Sequence, residues 1–188
     1  KVDDIVIKAM GKWPNVPACY GWLGLDAHGD WYLRDLTVQA QGRFPQIKGE
    51  KIVHSKWIAF MGRNYAADAN GCWFFQNGPQ RVFVELEVTP WVFRFGKTVT
   101  ELISHTGVLT ESVGFLQDEC GYVYAKTPIG LGLLHSHEVA LLAEQIDERL
   151  LCIEETSSKD LERKYGYVKS PSVYGGVAIL PPQEPSVR

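Results

Sequence analysis

The sequence predicts an α+β protein in which antiparallel β-hairpins form one curved sheet or two small sheets, with two main helices and a shorter third packed against them. A turn motif that occurs three times predicts the hairpins, and apolar residues at helical spacing predict the helices. With 188 residues, 45% of them hydrophobic, the chain is expected to form a single α+β domain over residues 1–180, or two small lobes. A Pro-rich tail is expected at 181–188.

The repeated motif is an Asp, two residues, a Gly and then an aromatic residue two or three places later. Its copies begin at Asp26, Asp68 and Asp118. The Asp side chain can bond the backbone ahead of it, and Gly can adopt the left-handed conformation that closes a hairpin. We therefore expect positive φ at Gly29, Gly71 and Gly121. The irregular spacing of the copies argues against a solenoid or propeller, which needs a fixed period.

Alternating apolar residues on either side of these turns predict the strands. In the second hairpin, Pro79 is expected to make the loop at 76–80 longer than two residues. The strand that follows places Val82 and Val84 on one face, and Phe83, Glu85 and Glu87 on the other. The remaining strand segments are 20–25, 31–36, 73–75, 91–95 and a third meander over 115–126.

Three segments show helical spacing. The first runs from Glu50 to Met61 after Gly49, with Ile52, Trp57 and Phe60 expected to face the sheet. The second runs from His137 to Leu151 with Ser136 as its N-cap, and its apolar stripe is Val139, Leu142, Ala143, Ile146 and Leu150. The third covers Lys159 to Tyr165, capped by Ser157 or Ser158. Residues 39–49 are expected to form a loop because Gly42, Pro45 and Gly49 interrupt them.

Composition excludes several functional classes. The formal net charge is −3 and no basic run occurs, so nucleic-acid binding is not expected. No apolar run approaches the roughly 20 residues of a membrane-spanning helix. The four cysteines are far apart without a C-x-x-C pair, which argues against a structural zinc site and favours reduced thiols in the cytoplasm.

Motifs for catalysis and for cofactors are absent from the sequence. There is no G-x-S-x-G nucleophile elbow, no G-x-G-x-x-G and no P-loop pattern. The adjacent carboxylates Asp118 and Glu119 point apart on a turn and do not form a catalytic pair. We therefore predict no catalytic residues and no cofactor.

The densest polar and aromatic group flanks the second turn. Its members are Arg63, Asn64, Tyr65, Gln76, Asn77, Gln80 and Arg81. Guanidinium and amide groups together suit recognition of a carboxylate, a phosphate or a peptide backbone, so this group is the predicted ligand site. Under the alternative interpretation, Arg63 and Asn64 only cap a helix and Asn77 only forms a turn.

Three histidines are weaker candidates for a metal site. His135 and His137 would face the same side if they lay on one strand, and His105 could supply a third ligand. However, a helix cap at Ser136 would break the alternation and point the two rings apart. The zinc-protease spacing H-E-x-x-H is absent, so no metal is predicted.

Several motifs resemble those of a family of uncharacterised, mostly proteobacterial proteins of unknown function. They are Arg63-Asn64-Tyr65, the segment from Trp73 to Val82 (WFFQNGPQRV), and the segment from Leu86 to Trp91 (LExTPW). The similarity extends from about Trp13 to about Leu151. The resemblance implies a bacterial cytoplasmic protein and assigns no catalytic residue.

The leading hypothesis is a non-enzymatic binding or regulatory module that recognises a small anionic or polar ligand or a protein partner. The first alternative is an enzyme that acts on a small anionic metabolite at the same surface. The second is a structural subunit that forms a homodimer through an aromatic face. A deep pocket would favour a small ligand, and a flat apolar patch would favour the homodimer.

Overall fold

The computed structural model describes residues 2–147 and 152–175, which divide into two compact units. The first unit contains residues 2–26, 30–87 and 168–175, and the second contains residues 27–29, 88–147 and 152–167. Each unit is built around one β-sheet. The α+β fold class is confirmed.

The first unit holds a six-stranded sheet in the order β3-β2-β1-β6-β5-β4. Its strands are β1 Cys19–Leu25, β2 Trp31–Leu33, β3 Glu50–Lys51, β4 Tyr65–Ala67, β5 Trp73–Asn77 and β6 Gln80–Leu86. Neighbouring strands are antiparallel except β1 and β6, which pair in parallel with Leu23 opposite Val84.

The second unit holds a seven-stranded sheet in the order β13-β10-β11-β12-β7-β8-β9. Its strands are β7 Trp91–Phe95, β8 Glu101–Ser104, β9 Leu109–Glu111, β10 Gly114–Gln117, β11 Val123–Thr127, β12 Gly130–Leu134 and β13 Ile153–Glu155. Here β12 pairs in parallel with β7, and β10 pairs in parallel with β13.

The two sheets share one strand arrangement. The order β4-β5-β6-β1-β2-β3 in the first unit corresponds to β10-β11-β12-β7-β8-β9 in the second, with the parallel pair in the same place. In the first unit, Phe74 lies opposite Phe83. In the second unit, Tyr124 lies opposite Leu133, and both residues are 50 positions later in the sequence. Residues that take the same place in this correspondence are called matched positions below. The second and third copies of the turn motif are matched, and the first copy joins β1 to β2.

All three turn copies share two hydrogen bonds. The Asp backbone N–H donates to the carbonyl of the residue four places later, and the Asp Oδ1 accepts the N–H of that residue, at 2.9–3.0 Å. The predicted positive φ is confirmed at Gly29 (82°), Gly71 (79°) and Gly121 (84°). These turns were predictable because the hydrogen bonds that the three copies share are local.

The described residues form five α-helices rather than the predicted three. They are α1 Asp4–Lys12, α2 Leu36–Gln41, α3 Ser55–Arg63, α4 Ser136–Asp147 and α5 Leu161–Tyr165. The predicted start of α3 at Glu50 was wrong, because Glu50 and Lys51 pair with β2 as strand β3. The helix begins after His54, whose Nδ1 accepts the N–H of Trp57. Helix α2 overlaps the start of the loop that was expected at 39–49.

The predicted core face of α3 is present in part. Ile52 is buried in the segment before the helix, and the Phe60 ring meets Phe75 of β5 edge-on, with 5.6 Å between ring centroids. Trp57 is only half-buried. Truncation of Trp57 is therefore expected to cost less than the loss of a fully buried tryptophan.

The helix caps of the second unit differ from the predictions. Helix α4 begins at Ser136 itself, and the Nδ1 of His135 accepts the N–H of His137. The third predicted helix starts as a 3-10 turn, Ser158–Asp160, before α5. The Ser158 hydroxyl donates to Glu119 instead of capping the helix. The predicted helix end at Leu151 and the tail 181–188 lie outside the described residues.

No helix in the described part of the chain is long and apolar enough to cross a membrane.

Candidate functional site

The first residues of the predicted ligand site, Arg63 and Asn64, bind Asp3 just before helix α1. Asp3, which precedes α1, forms an ion pair with Arg63 at 3.2 Å. The buried Asn64 accepts the N–H of Asp3 at 2.8 Å and donates to the carbonyl of Phe60 at 2.9 Å. Asn64 therefore acts as a cap of α3, as the alternative interpretation stated, and Arg63 is half-exposed beside it.

The central residues of the predicted site are buried. Tyr65 packs against Trp31 and Trp73, and burial holds the pKa of its hydroxyl well above the usual value. Gln76 donates to the carbonyl of Gly78 at 3.0 Å and so braces the turn between β5 and β6. Asn77 is also buried. These side chains stabilise the hairpin.

The last two residues of the predicted site lie on β6. The register pairs Asn77 with Gln80, so only Gly78 and Pro79 separate the paired strands, and the longer loop that was expected is absent. Gln80 donates to the carbonyl of Pro17 at 3.3 Å. Arg81 is exposed, and its guanidinium lies 4.5 Å from the centroid of the Phe74 ring.

The structure does not bring Arg63 and Arg81 to one surface. Helix α3, which ends at Arg63, packs through Phe60 against Phe75. The Arg81 guanidinium lies over the ring of Phe74. Because successive side chains of a strand point to opposite faces, Phe74 and Phe75 lie on opposite faces of the sheet. The two arginines therefore lie on opposite faces of the sheet. Whether either binds a ligand stays a prediction.

The predicted histidine group has a structural role. The rings of His135 and His137 are in edge contact, with centroids 4.8 Å apart, so the expectation that they point apart was wrong. They meet because His135, rather than Ser136, caps α4. His105 accepts the N–H of Val92 through Nδ1, and burial lowers its pKa to about 3. Among the described residues, no group of three His, Cys, Asp or Glu side chains could hold a metal ion.

A cleft of about 640 Å³ lies within the first unit, on the sheet face that carries Phe83 and Glu85. Helix α2 and the loop at 42–46 form one wall, and the segment 169–173 forms the other. The floor includes the Phe44 ring, which lies so close to β1 that a Cβ on Gly24 would be 2.5 Å from it. Cavities of this size hold small ligands in many proteins.

Arg34 lies buried in the cleft, with 3% of its surface exposed. Its guanidinium donates to three carbonyls: Nη2 to Gly42 at 2.7 Å, Nε to Ile47 at 3.2 Å and Nη1 to Gly21 at 3.3 Å. A guanidinium has five N–H groups, so two have no partner among the described residues. Burial lowers the pKa of Arg34, and the negative charge of Glu85 opposes that shift.

Glu85 is the second buried charge of the cleft, with 5% of its surface exposed. Its Oε1 accepts the N–H of Ser172 at 3.1 Å, which fixes the segment 169–173 beside β6. Within the described part of the chain, Glu85 forms no ion pair with Arg34 or with any other cation. The cleft therefore contains two buried opposite charges that do not neutralise each other directly.

The rim of the cleft is mixed in character. Leu36 and Val173 expose apolar side chains there. Arg43 is exposed, and its guanidinium has no hydrogen bond or ion pair with the described residues. The lining also includes the exposed Lys169 and the carboxylate of Glu87. The cleft thus combines buried and accessible cations with carboxylates and apolar surface, which suits a small molecule with an anionic group.

A family model described as "Protein of unknown function (DUF2946)" matches residues 2–172. The chain belongs to this family. The match confirms the resemblance to an uncharacterised family, and it assigns no activity. Proteobacterial origin stays a prediction.

A comparison with curated proteins finds no match. Among solved structures, the crystal structure of a DUF1285 family protein from Silicibacter pomeroyi DSS-3 is similar at 12% identity, covering 77% of this chain and 85% of that chain. The TM-score is 0.47.

Proposed function

We propose that this protein is a non-enzymatic binding module that holds the anionic group of a small ligand in the cleft of the first unit. The observation that carries this proposal is the buried guanidinium of Arg34, which lines the cleft without a carboxylate partner. A buried charge is costly unless it is paired, so an anion at this position would gain a strong interaction. Arg43 at the rim would supply a second cation.

The lining of the cleft supports binding rather than nucleophilic catalysis. No histidine or cysteine is among its described residues. The cysteines Cys19, Cys72, Cys120 and Cys152 are all free thiols, which supports the proposal of a reducing, cytoplasmic location. Bacterial origin and homodimer formation also remain proposals.

The proposal can be tested by thermal unfolding with inorganic phosphate, succinate or N-acetyl-L-leucine, each against potassium chloride of equal ionic strength. At least one of the three anions should raise the melting temperature. Arg43→Ala should weaken its binding by about 1.5–3 kcal/mol, the usual contribution of a charged hydrogen bond. Arg43 is the residue of choice because it is exposed, so its loss should leave the fold intact.

The matched controls are Arg63→Ala and Arg81→Ala, which remove arginines outside the cleft. Both should keep the full response to the anion. If Arg63→Ala lost the rise in melting temperature and Arg43→Ala kept it, the anion would bind at the surface predicted from the sequence and not in the cleft. No response to any of the three anions would overturn the proposal.

A further inference from the structure

The cleft of the first unit buries a carboxylate as well as a guanidinium. Glu85 lies on β6, and Arg34 directly follows β2, with strand β1 between them. Near the end of β1 is Gly24, which lies opposite both Glu85 and Tyr32 and has no side chain. The Phe44 ring covers this glycine.

Each of the two charges keeps unused hydrogen-bonding capacity. Glu85 makes one hydrogen bond with the described residues, from the N–H of Ser172 to Oε1, so Oε2 has no donor there. Arg34 keeps two N–H groups without a partner among the described residues. A ligand with only an anionic group would satisfy Arg34 and would add a second negative charge near Glu85.

We propose that the ligand of the cleft is a zwitterion with an apolar side chain, of the chemical class of the α-amino acids. Its carboxylate would bind Arg34 and Arg43, and its ammonium group would bind Glu85. The apolar side chain would contact Phe44, Leu36 and Val173. This inference rests on the proposed function, since it assumes that the cleft binds an anionic group.

Three related probes separate the two charges of such a ligand. L-Leucine carries both charges, N-acetyl-L-leucine carries only the carboxylate, and L-leucinamide carries only the ammonium group. Isothermal titration calorimetry of the wild-type protein at pH 7 should show that L-leucine binds at least about tenfold more tightly than either of the others.

The outcomes distinguish this inference from the proposed function. Equal affinity for L-leucine and N-acetyl-L-leucine would overturn the zwitterion and leave anion binding in place. Tighter binding of L-leucinamide than of N-acetyl-L-leucine would contradict anion binding itself. Absence of binding by all three probes would overturn the inference, whereas the responses to phosphate and succinate would still decide the proposed function.

A substitution at Glu85 tests whether this residue binds the ammonium group of the ligand. Glu85→Gln keeps an acceptor for the N–H of Ser172 but removes the charge. It should therefore weaken the binding of L-leucine at least about tenfold and change the affinity for N-acetyl-L-leucine by no more than about twofold. The control is Glu50→Gln on β3, which changes a carboxylate on the opposite face of the sheet. An unchanged preference for L-leucine in Glu85→Gln would overturn the assignment, and the three-probe comparison stands even if this variant does not fold.

Discussion

The two units place polar side chains at matched positions of the same strand arrangement and use them differently. Arg34 follows β2 in the first unit, and His105 follows β8 in the second. The N–H of Arg34 donates to the carbonyl of Trp22, and the N–H of His105 donates to that of Val92, both at 2.8 Å. Arg34 lines a cleft, whereas the His105 imidazole accepts a backbone N–H of its own unit.

The second pair of matched positions shows the same contrast. Glu85 of β6 corresponds to His135, 50 positions later, which directly follows β12. Glu85 lines the cleft, whereas the His135 ring caps helix α4. The strand order alone therefore does not create the cleft. The proposed site depends on two charged side chains and on the segments 42–46 and 169–173, which line the cleft in the first unit.

The largest effect is expected from Arg34→Ala. Three carbonyls would lose their donor, so the first unit should be destabilised by roughly 3 kcal/mol or more. Urea denaturation followed by tryptophan fluorescence is a suitable measurement, because five of the six tryptophans lie in the first unit. Arg63→Ala, which removes an exposed ion pair, should cost less than about 1 kcal/mol. Equal losses in the two variants would contradict a structural role for Arg34.

The matched turns offer a second test. In the second unit, the buried Tyr124 hydroxyl donates to Oδ2 of Asp118 at 2.7 Å, and in the first unit the matched residue is Phe74. Tyr124→Phe should therefore destabilise the protein by about 1.5–3 kcal/mol, measured as the free energy of unfolding. Tyr32→Phe should cost less, because Lys48 also bonds the Oδ2 that Tyr32 contacts in the first turn. The reverse order of the two losses would contradict the explanation that Lys48 compensates for the loss of the Tyr32 hydroxyl.

A third prediction concerns the stability of the protein at acidic pH. Burial lowers the pKa of His105 to about 3, whereas an exposed imidazole titrates near 6.5. As the pH falls below about 6.5, the unfolded chain takes up a proton that the folded chain does not, so stability is lost. Wild-type protein should lose about 2 kcal/mol more than His105→Gln between pH 7 and pH 5. Equal losses would mean that the ring is protonated in the folded state.

The smallest effect is expected at the turn glycines. Gly71→Val and Gly121→Val each place a β-branched side chain at positive φ, which should cost about 1–2 kcal/mol. The two losses, measured by urea denaturation, should be similar because the turns share their backbone bonds. A loss at only one of the two would show that the copies are not equivalent.

Features that depend on interactions between residues close in the sequence were predictable, whereas features that depend on distant residues were not. The turn glycines were predictable because Asp68 and Asp118 bond residues within the same turn. The cleft was not predictable, since Arg34 and Glu85 come together only through the parallel pairing of β1 with β6. One signal was present: strand alternation already placed Glu85 beside Phe83, on the face away from Val84. Nothing in the sequence near Arg34 marked it as the second member.

The central claim is that the first unit binds an anionic group in its cleft, at Arg34 and Arg43, whereas the second unit does not bind it at His105 and His135. A nuclear magnetic resonance titration of the isotope-labelled full chain with N-acetyl-L-leucine tests this directly, by mapping amide shift changes onto the sequence. We expect the amide shift changes to be concentrated at residues 34–46, 85–87 and 169–173. Changes centred on residues 105 and 135, or on Arg63 and Arg81, would contradict it.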